Sequence, residues 1–230
     1  MRFDILTIFP EIIESYVNTG VIGRSNNLKK TLTIEIHNIR DYTKDMHHKV
    51  DDTPFGGGAG MILQIEPIYN ALNNIIKRHP DTKKHIILTK AGANIFNQDK
   101  AIQLGESFEH IIFICGRYEG IDARVEEYLC DESISIGQFV LTGGELPALV
   151  MLDAIARHIP SVLGNKESLT QESWTNTESQ EYPQYSRPSV FKPRDPNISN
   201  KDAPSEWIVP EILLSGNHKA IEDWRERHKK

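Results

Sequence analysis

The sequence predicts an α/β fold: a mainly parallel sheet with crossover helices, followed by a small helical C-terminal part. Three observations carry this expectation. Short β-branched runs alternate with helix-period segments from residue 2 to residue 159, the rhythm of strands joined by crossover helices. Apolar runs end in glycine-bearing loops at residues 89–92, 115–120 and 137–144, and ligands collect at such carboxyl ends of open parallel sheets. After Ile159-Pro160 the composition turns to Ser, Thr, Gln, Glu, Asn and Pro, which reads as a linker.

Residues 2–9 are β-rich and apolar, and Pro10-Glu11 opens a helix because proline suits a first helical turn. Residues 32–38 alternate Leu32, Ile34 and Ile36 with Thr33, Glu35 and His37, the mark of a strand with one covered face. Residues 41–60 lack periodicity and hold HHKVDD followed by PFGGGAG, which predicts a long functional or mobile loop. Its glycines are no triphosphate cradle, because Met61-Ile62 stand where a P-loop needs Lys and Ser or Thr. His47, His48, Asp51 and Asp52 offer metal-ligand chemistry, but their spacing matches no defined site.

Residues 66–77 place Ile68, Leu72, Ile75 and Ile76 on one helical stripe. Strands are expected at 85–88, 111–114 and 133–136, and helices at 98–104, 121–128 and 145–159. The last of these is apolar on more than one face, through Leu146, Leu149, Val150, Met151 and Leu152, so it is either buried deep in one subunit or part of a subunit interface. Residues 168–181 carry little apolar weight and are expected to stay mobile until something binds. Helix returns at 210–214 and at 219–228, with Asn217 as a good N-cap.

The 230 residues suffice for one large core plus a small appendage. With 39% hydrophobic and 25% charged residues, and no apolar run near the ~20 residues of a membrane span, the chain reads as an ordinary soluble protein. Its N-terminus, MRFDILTIFP, is too short and acidic for a secretory signal, so a cytoplasmic location is expected. The two cysteines, Cys115 and Cys130, are too few for a disulfide framework and are read as reduced. A net charge of −6 argues against a broadly basic nucleic-acid surface. Basic residues do cluster at 29–30, 40–49, 187–194 and 225–230, either as solvated faces or as a local patch.

Residues 135–147, SIGQFVLTGGELP, join an apolar run to a double glycine and then to a helix start. One reading is an ordinary strand, turn and helix. The other is a ligand site, in which free peptide groups orient a planar group between the apolar walls of Ile136, Phe139, Val140 and Leu141.

In order along the chain, CGRYEGIDARV, SIGQFVLTGGELP, IPSVLGN and LLSGNH resemble motifs of the bacterial tRNA (guanine-N1)-methyltransferases, a likeness running from Phe9-Pro10 to Trp224. The resemblance implies a SPOUT-class fold with a deep trefoil knot, S-adenosylmethionine (AdoMet) bent within that knot, and an obligate homodimer acting on the tRNA guanosine at position 37, just 3′ of the anticodon. It also implies that the 41–60 loop lies near the active site and the dimer partner.

By that resemblance the cofactor residues are Leu88, Gly116, Tyr118, Glu119, Ile136, Gly137, Gln138, Phe139, Val140, Leu141, Gly143, Gly144 and Pro147, contributing mostly backbone. Glu119 would meet the AdoMet ammonium or a Mg²⁺ ion, which the family uses. Arg157 matches the family arginine that stabilises charge on guanine O6, and Glu172 stands where the family usually has an aspartate as general base. Ser168 would help order the linker around that base. The implied organisation is a knotted AdoMet-binding domain over 1–160, a linker carrying the carboxylate over 161–186, and a small tRNA-binding region over 187–230.

The chain departs from the family pattern in several places. Gln138-Phe139 replace the commoner Asp-Tyr, and Lys90-Ala91 replace Pro-Gln. The stretch between Phe191 and Trp207 is longer than usual and the chain stops soon after Trp224, so an abbreviated tRNA-grasping domain is expected, with either weaker tRNA affinity or compensation by the inserted stretch. Two other functions remain compatible with the motifs, methylation of another RNA base or a catalytically silent AdoMet- and RNA-binding regulator. A pure binder has no use for Arg157 together with Glu172.

Overall fold

A computed structural model describes residues 1–163, 182–194 and 204–229. The chain forms two compact units, Met1–Gly164 and Asn165–Lys230. The expectations for Ser168, Glu172 and the rest of the 168–181 stretch lie outside the described residues.

The first unit runs β1 (Arg2–Thr7), α1 (Pro10–Val17), α2 (Gly20–Asn27), β2 (Thr33–Asn38), a 3-10 turn (Ile39–Tyr42), β3 (Asp51–Asp52), β4 (Ile62–Leu63), α3 (Ile65–Arg78), β5 (Lys84–Ile95), α4 (Gln98–Ser107), β6 (His110–Cys115), α5 (Ala123–Leu129), β7 (Glu132–Ser135) and α6 (Glu145–Arg157). Five strands make one sheet in the order β2-β1-β6-β5-β7, and every pairing in it is parallel.

Successive side chains of a strand point to opposite faces, and the two faces carry separate cores. Phe3, Ile5, Ile87, Ile111 and Phe113 pack with residues of α1, α4 and α6 on one side. Leu6, Ile86, Leu88, Ile112 and Ile114 pack with residues of α3 and α5 on the other. All six residues of the central β6, HIIFIC, are buried, as a strand covered on both faces requires. In α3 the expected stripe is present, with Ile68, Leu72 and Ile75 buried and Ile76 at its edge.

The edge strand β2 departs from a simple covered and uncovered face at His37, which is 6% exposed. The cause is Asp4, fully buried on β1, whose carboxylate meets His37 Nε2 at 2.6 Å, His110 Nε2 at 2.5 Å and Arg2 Nε at 2.6 Å. A charge this deep is tolerable only when it is paired. Burial pushes the Asp4 carboxyl up, and the bonds from His110, His37 and Arg2 outweigh it, holding the group far below the usual carboxylate range. Among the described residues the one group with metal-ligand spacing is Asp4, Glu35 and His37, and Arg2 already bridges its two carboxylates; His47, His48, Asp51 and Asp52 form no such group.

The broadly apolar helix α6 is buried along most of its apolar positions and exposed at two. Leu149, Met151, Leu152 and Ile155 are buried, while Leu146 and Val150, one turn apart, are 55% and 48% exposed. Cys115 is buried and Cys130 partly so, and both are free. Burial raises both thiols, Cys130 to about 12, so neither is poised as a nucleophile.

The second unit holds β8 (Val190–Phe191), β9 (Trp207–Ile208), α7 (Glu211–Leu214) and α8 (His218–Arg227), with β8 and β9 antiparallel. Asn217 caps α8 by accepting from Ala220 N at 3.2 Å, as expected. Trp224 is buried against His228, ring centroids 4.1 Å apart. Among the described residues no helix is long and apolar enough to cross a membrane.

Candidate active site

The carboxyl ends of β5, β6 and β7 are neighbours in the sheet, so the three glycine-bearing loops converge. They line one cleft of about 460 Å³, within the ~300–1,000 Å³ usual for small-molecule sites. The first wall arises because Thr89 and Asn94 both sit opposite Ile134 of β7, which loops residues 90–93 out of β5. The second wall is residues 116–123, and the third is Ile136, Phe139 and residues 141–144.

The third loop turns back across the first two at Gly144. Its N–H donates to Gly116 O at 2.8 Å. A Cβ at Gly144 would overlap the Thr89 hydroxyl and lie 2.7 Å from Gly116 N, so only glycine permits this approach. The second loop turns at Tyr118, whose φ of +60° is a strained choice for an aromatic residue, and such strain clusters at functional sites. The residues that flank the 41–60 loop are fastened to the same second loop. Glu119 N donates to Met61 O at 3.1 Å, Leu63 N donates to Gly120 O at 3.0 Å, and Arg40 Nη2 reaches the Tyr118 hydroxyl at 3.3 Å.

Leu88, Gly116, Tyr118, Glu119, Ile136, Phe139, Leu141, Gly143, Gly144 and Pro147, all expected at the cofactor, line this cleft. Gly137, Gln138 and Val140 lie on the same turn without lining it. The physical reason is the Phe139 ring, which covers the backbone at Gly137, and the outward course of Val140, 86% exposed. Sequence reasoning missed Arg117, Asp122, Glu126 and Thr142, which also line it. The motif CGRYEGID held a signal for two of them, but nothing local announced Glu126.

Three carboxylates line the cleft, and two are engaged. Arg124 holds Asp122 below its ordinary range, and Lys90 with Ser133 does the same for Glu126. The exposed Glu119 side chain has no ion pair or hydrogen bond among the described residues. The cleft thus offers apolar walls, a backbone-rich floor and one unengaged carboxylate, a set that suits a nucleoside carrying an ammonium group.

Arg157 does not join this cleft within one chain. It ends the thirteen-residue α6 that Glu145 begins, about 18 Å away along the axis at ~1.5 Å per residue. There it lines a second cavity of about 250 Å³ with Tyr16 and Asp153. The Tyr16 hydroxyl donates to Asp153 Oδ2 at 2.5 Å, and that bond pushes the phenol up to about 12.

The whole chain, residues 1–230, matches the family model described as tRNA (Guanine-1)-methyltransferase TrmD. Curated proteins named tRNA (guanine-N(1)-)-methyltransferase are similar over nearly all of it. One from Dehalococcoides mccartyi is 44% identical over 227 residues, covering 99% of this chain and 85% of the relative. One from Carboxydothermus hydrogenoformans is 45% identical over 227 residues, covering 99% and 82%. The crystal structure of tRNA (m1G37) methyltransferase from Aquifex aeolicus superposes with a TM-score of 0.77 at 35% identity, over 99% of this chain and 88% of that one.

Proposed function

The chain belongs to the tRNA (guanine-1)-methyltransferase family and carries its activity, methyl transfer to N1 of a tRNA guanine; from that premise we propose that the three-loop cleft holds AdoMet and that the target is guanosine 37. The observation that carries this reading is the convergence of the three loops on one cleft of about 460 Å³ whose crossing point, Gly144 on Gly116, admits no side chain. A deep trefoil knot over 1–160 is part of the same proposal and rests on membership of the family.

When bound, AdoMet supplies an electrophilic methyl group. The rest of the chemistry falls to this chain. Leu88, Ile136 and Leu141 would hold the apolar part of the cofactor, with Phe139 above and the peptide groups of Gly116, Gly143 and Gly144 orienting it. Gly137, Gln138 and Val140 would contribute through the shape of their turn. Glu119 would take the methionine ammonium or a Mg²⁺ ion; one free carboxylate suits magnesium, which keeps most of its waters.

Neutral guanine holds a proton at N1, so a base must remove it as negative charge spreads to O6. Glu172 is the proposed base and Arg157 the cation at O6, where a preorganised charge is worth most. Ser168 would help set the linker, 161–186, that carries the base. Because Arg157 and the cleft sit at opposite ends of α6, one chain's cleft would be completed by its partner's helix end, in a homodimer. The exposed pair Leu146 and Val150 supports such an interface. Residues 187–230 would grip the tRNA, in the cytoplasm where tRNA is modified.

Calorimetry tests the cofactor assignment. AdoMet should bind the isolated protein, and Gly116→Val, which points a branched side chain into the cleft where a Cβ meets little protein, should abolish binding. Unchanged affinity in that variant would place the cofactor elsewhere.

A further inference from the structure

We propose that Glu145 is a positioning residue of the cleft, acting through Arg117; this rests on the reading of the cleft as the AdoMet site. Glu145 is 1% exposed and does not line the cleft. Its Oε1 accepts the Thr7 hydroxyl at 2.6 Å and its Oε2 accepts Arg117 Nε at 2.8 Å. One buried carboxylate therefore ties the end of β1 and the loop after β6 to the start of α6.

Arg117 carries that tie into the cleft wall. Its Nη1 donates to Thr142 O at 3.0 Å, its guanidinium carbon lies 4.6 Å from the centre of the Phe9 ring, and a Cβ at Gly143 would overlap it. A guanidinium is a rigid planar fork, so Nε on Glu145 and Nη1 on Thr142 fix the spacing between the helix start and the third loop. Thr142 and Gly143 line the cleft and lead directly into Gly144. Glu145 thus sets how closely the third loop lies on the second. It does not line the cleft itself, so its loss should act through Arg117, weakening cofactor binding and sparing the chemical step.

Steady-state kinetics on the full-length protein tests this, with thermal denaturation to confirm folding. Glu145→Gln should raise KM for AdoMet ~10-fold while kcat at saturating AdoMet stays within about twofold. Arg117→Lys keeps the charge and loses the fork; because Arg117 itself lines the cleft, it should raise KM for AdoMet at least as much. Combining the two should add nothing to the larger single effect, since residues acting as one unit are non-additive. An unchanged KM, a fall in kcat alone, or additive effects would overturn the proposal. If Glu145→Gln does not fold, Glu145→Asp, which keeps the carboxylate and shortens its reach to Arg117, carries the KM test. Gly116→Val separates this from the underlying reading: if that variant loses AdoMet while Glu145→Gln keeps the wild-type KM, the latch fails and the cleft assignment stands. If Gly116→Val keeps wild-type affinity, the cleft assignment fails.

Discussion

The backbone N–H of Gly144 donates to the carbonyl of Gly116 at 2.8 Å, pinning the start of α6 onto the end of β6. A methyl group at Gly144 would overlap the Thr89 hydroxyl and lie 2.9 Å from Cys115 Cα, with no flexible side-chain end to give way on the backbone side. Gly144→Ala should therefore destabilise the fold by about 3 kcal/mol, the upper range for overpacking. Gly92→Ala, where nothing lies within 4 Å, should change stability by less than about 0.5 kcal/mol. Denaturant titration of both checks the contrast, and equal midpoints would show the crossing to be looser than described.

Asp4 predicts an acid-sensitive contribution to stability. Its carboxyl is held below its unfolded value, so its stabilisation is complete above about pH 4, the unfolded pKa, and is lost as pH falls through the folded value. Asp4→Asn should cost about 3 kcal/mol near neutrality, the scale for breaking a buried pair. The gap from wild type should narrow below about pH 4. Urea titrations across that range measure it, and a gap independent of pH would remove the electrostatic explanation.

Leu146 and Val150 should lie in a subunit interface. Sedimentation should give about twice the 26.2 kDa chain mass. Leu146→Lys combined with Val150→Lys should shift the protein to monomer and abolish methylation, since a cleft would lose its partner's Arg157. A fully active monomer would contradict the shared site.

Much of this was legible in the sequence, for identifiable reasons. The strand β2 and the helices α3 and α6 came from periodicity, which reports burial on one face or two; β1, β5, β6 and β7 came from short apolar runs, and α1 from Pro10 at a first helical turn. The cleft came from three loops whose glycines mark close backbone approach. What stayed hidden depends on contacts distant in sequence. Glu145 meets Thr7 across 138 positions and Arg117 across 28. His37, read as an exposed strand position, is drawn inward by Asp4, 33 residues away. Nor does the motif order reveal that Arg157 and the cleft occupy opposite ends of one helix.

Glu172, the proposed base, has a side chain one methylene longer than the aspartate that the family resemblance leads one to expect there. Glu172→Gln keeps the shape and removes the base, and should lower kcat ~10²-fold or more with little effect on AdoMet affinity. Glu172→Asp should retain measurable activity. A wild-type rate in Glu172→Gln would move the role to a neighbouring carboxylate, Glu167 first.

The most direct test of the central claim is primer extension on a tRNA transcript bearing guanosine at position 37, after incubation with the protein and AdoMet. A methyl at N1 blocks the pairing edge, so reverse transcription should halt one nucleotide 3′ of position 37. The halt should require AdoMet and vanish with Gly116→Val. Full-length extension with wild-type protein, or a halt at another base, would contradict the account.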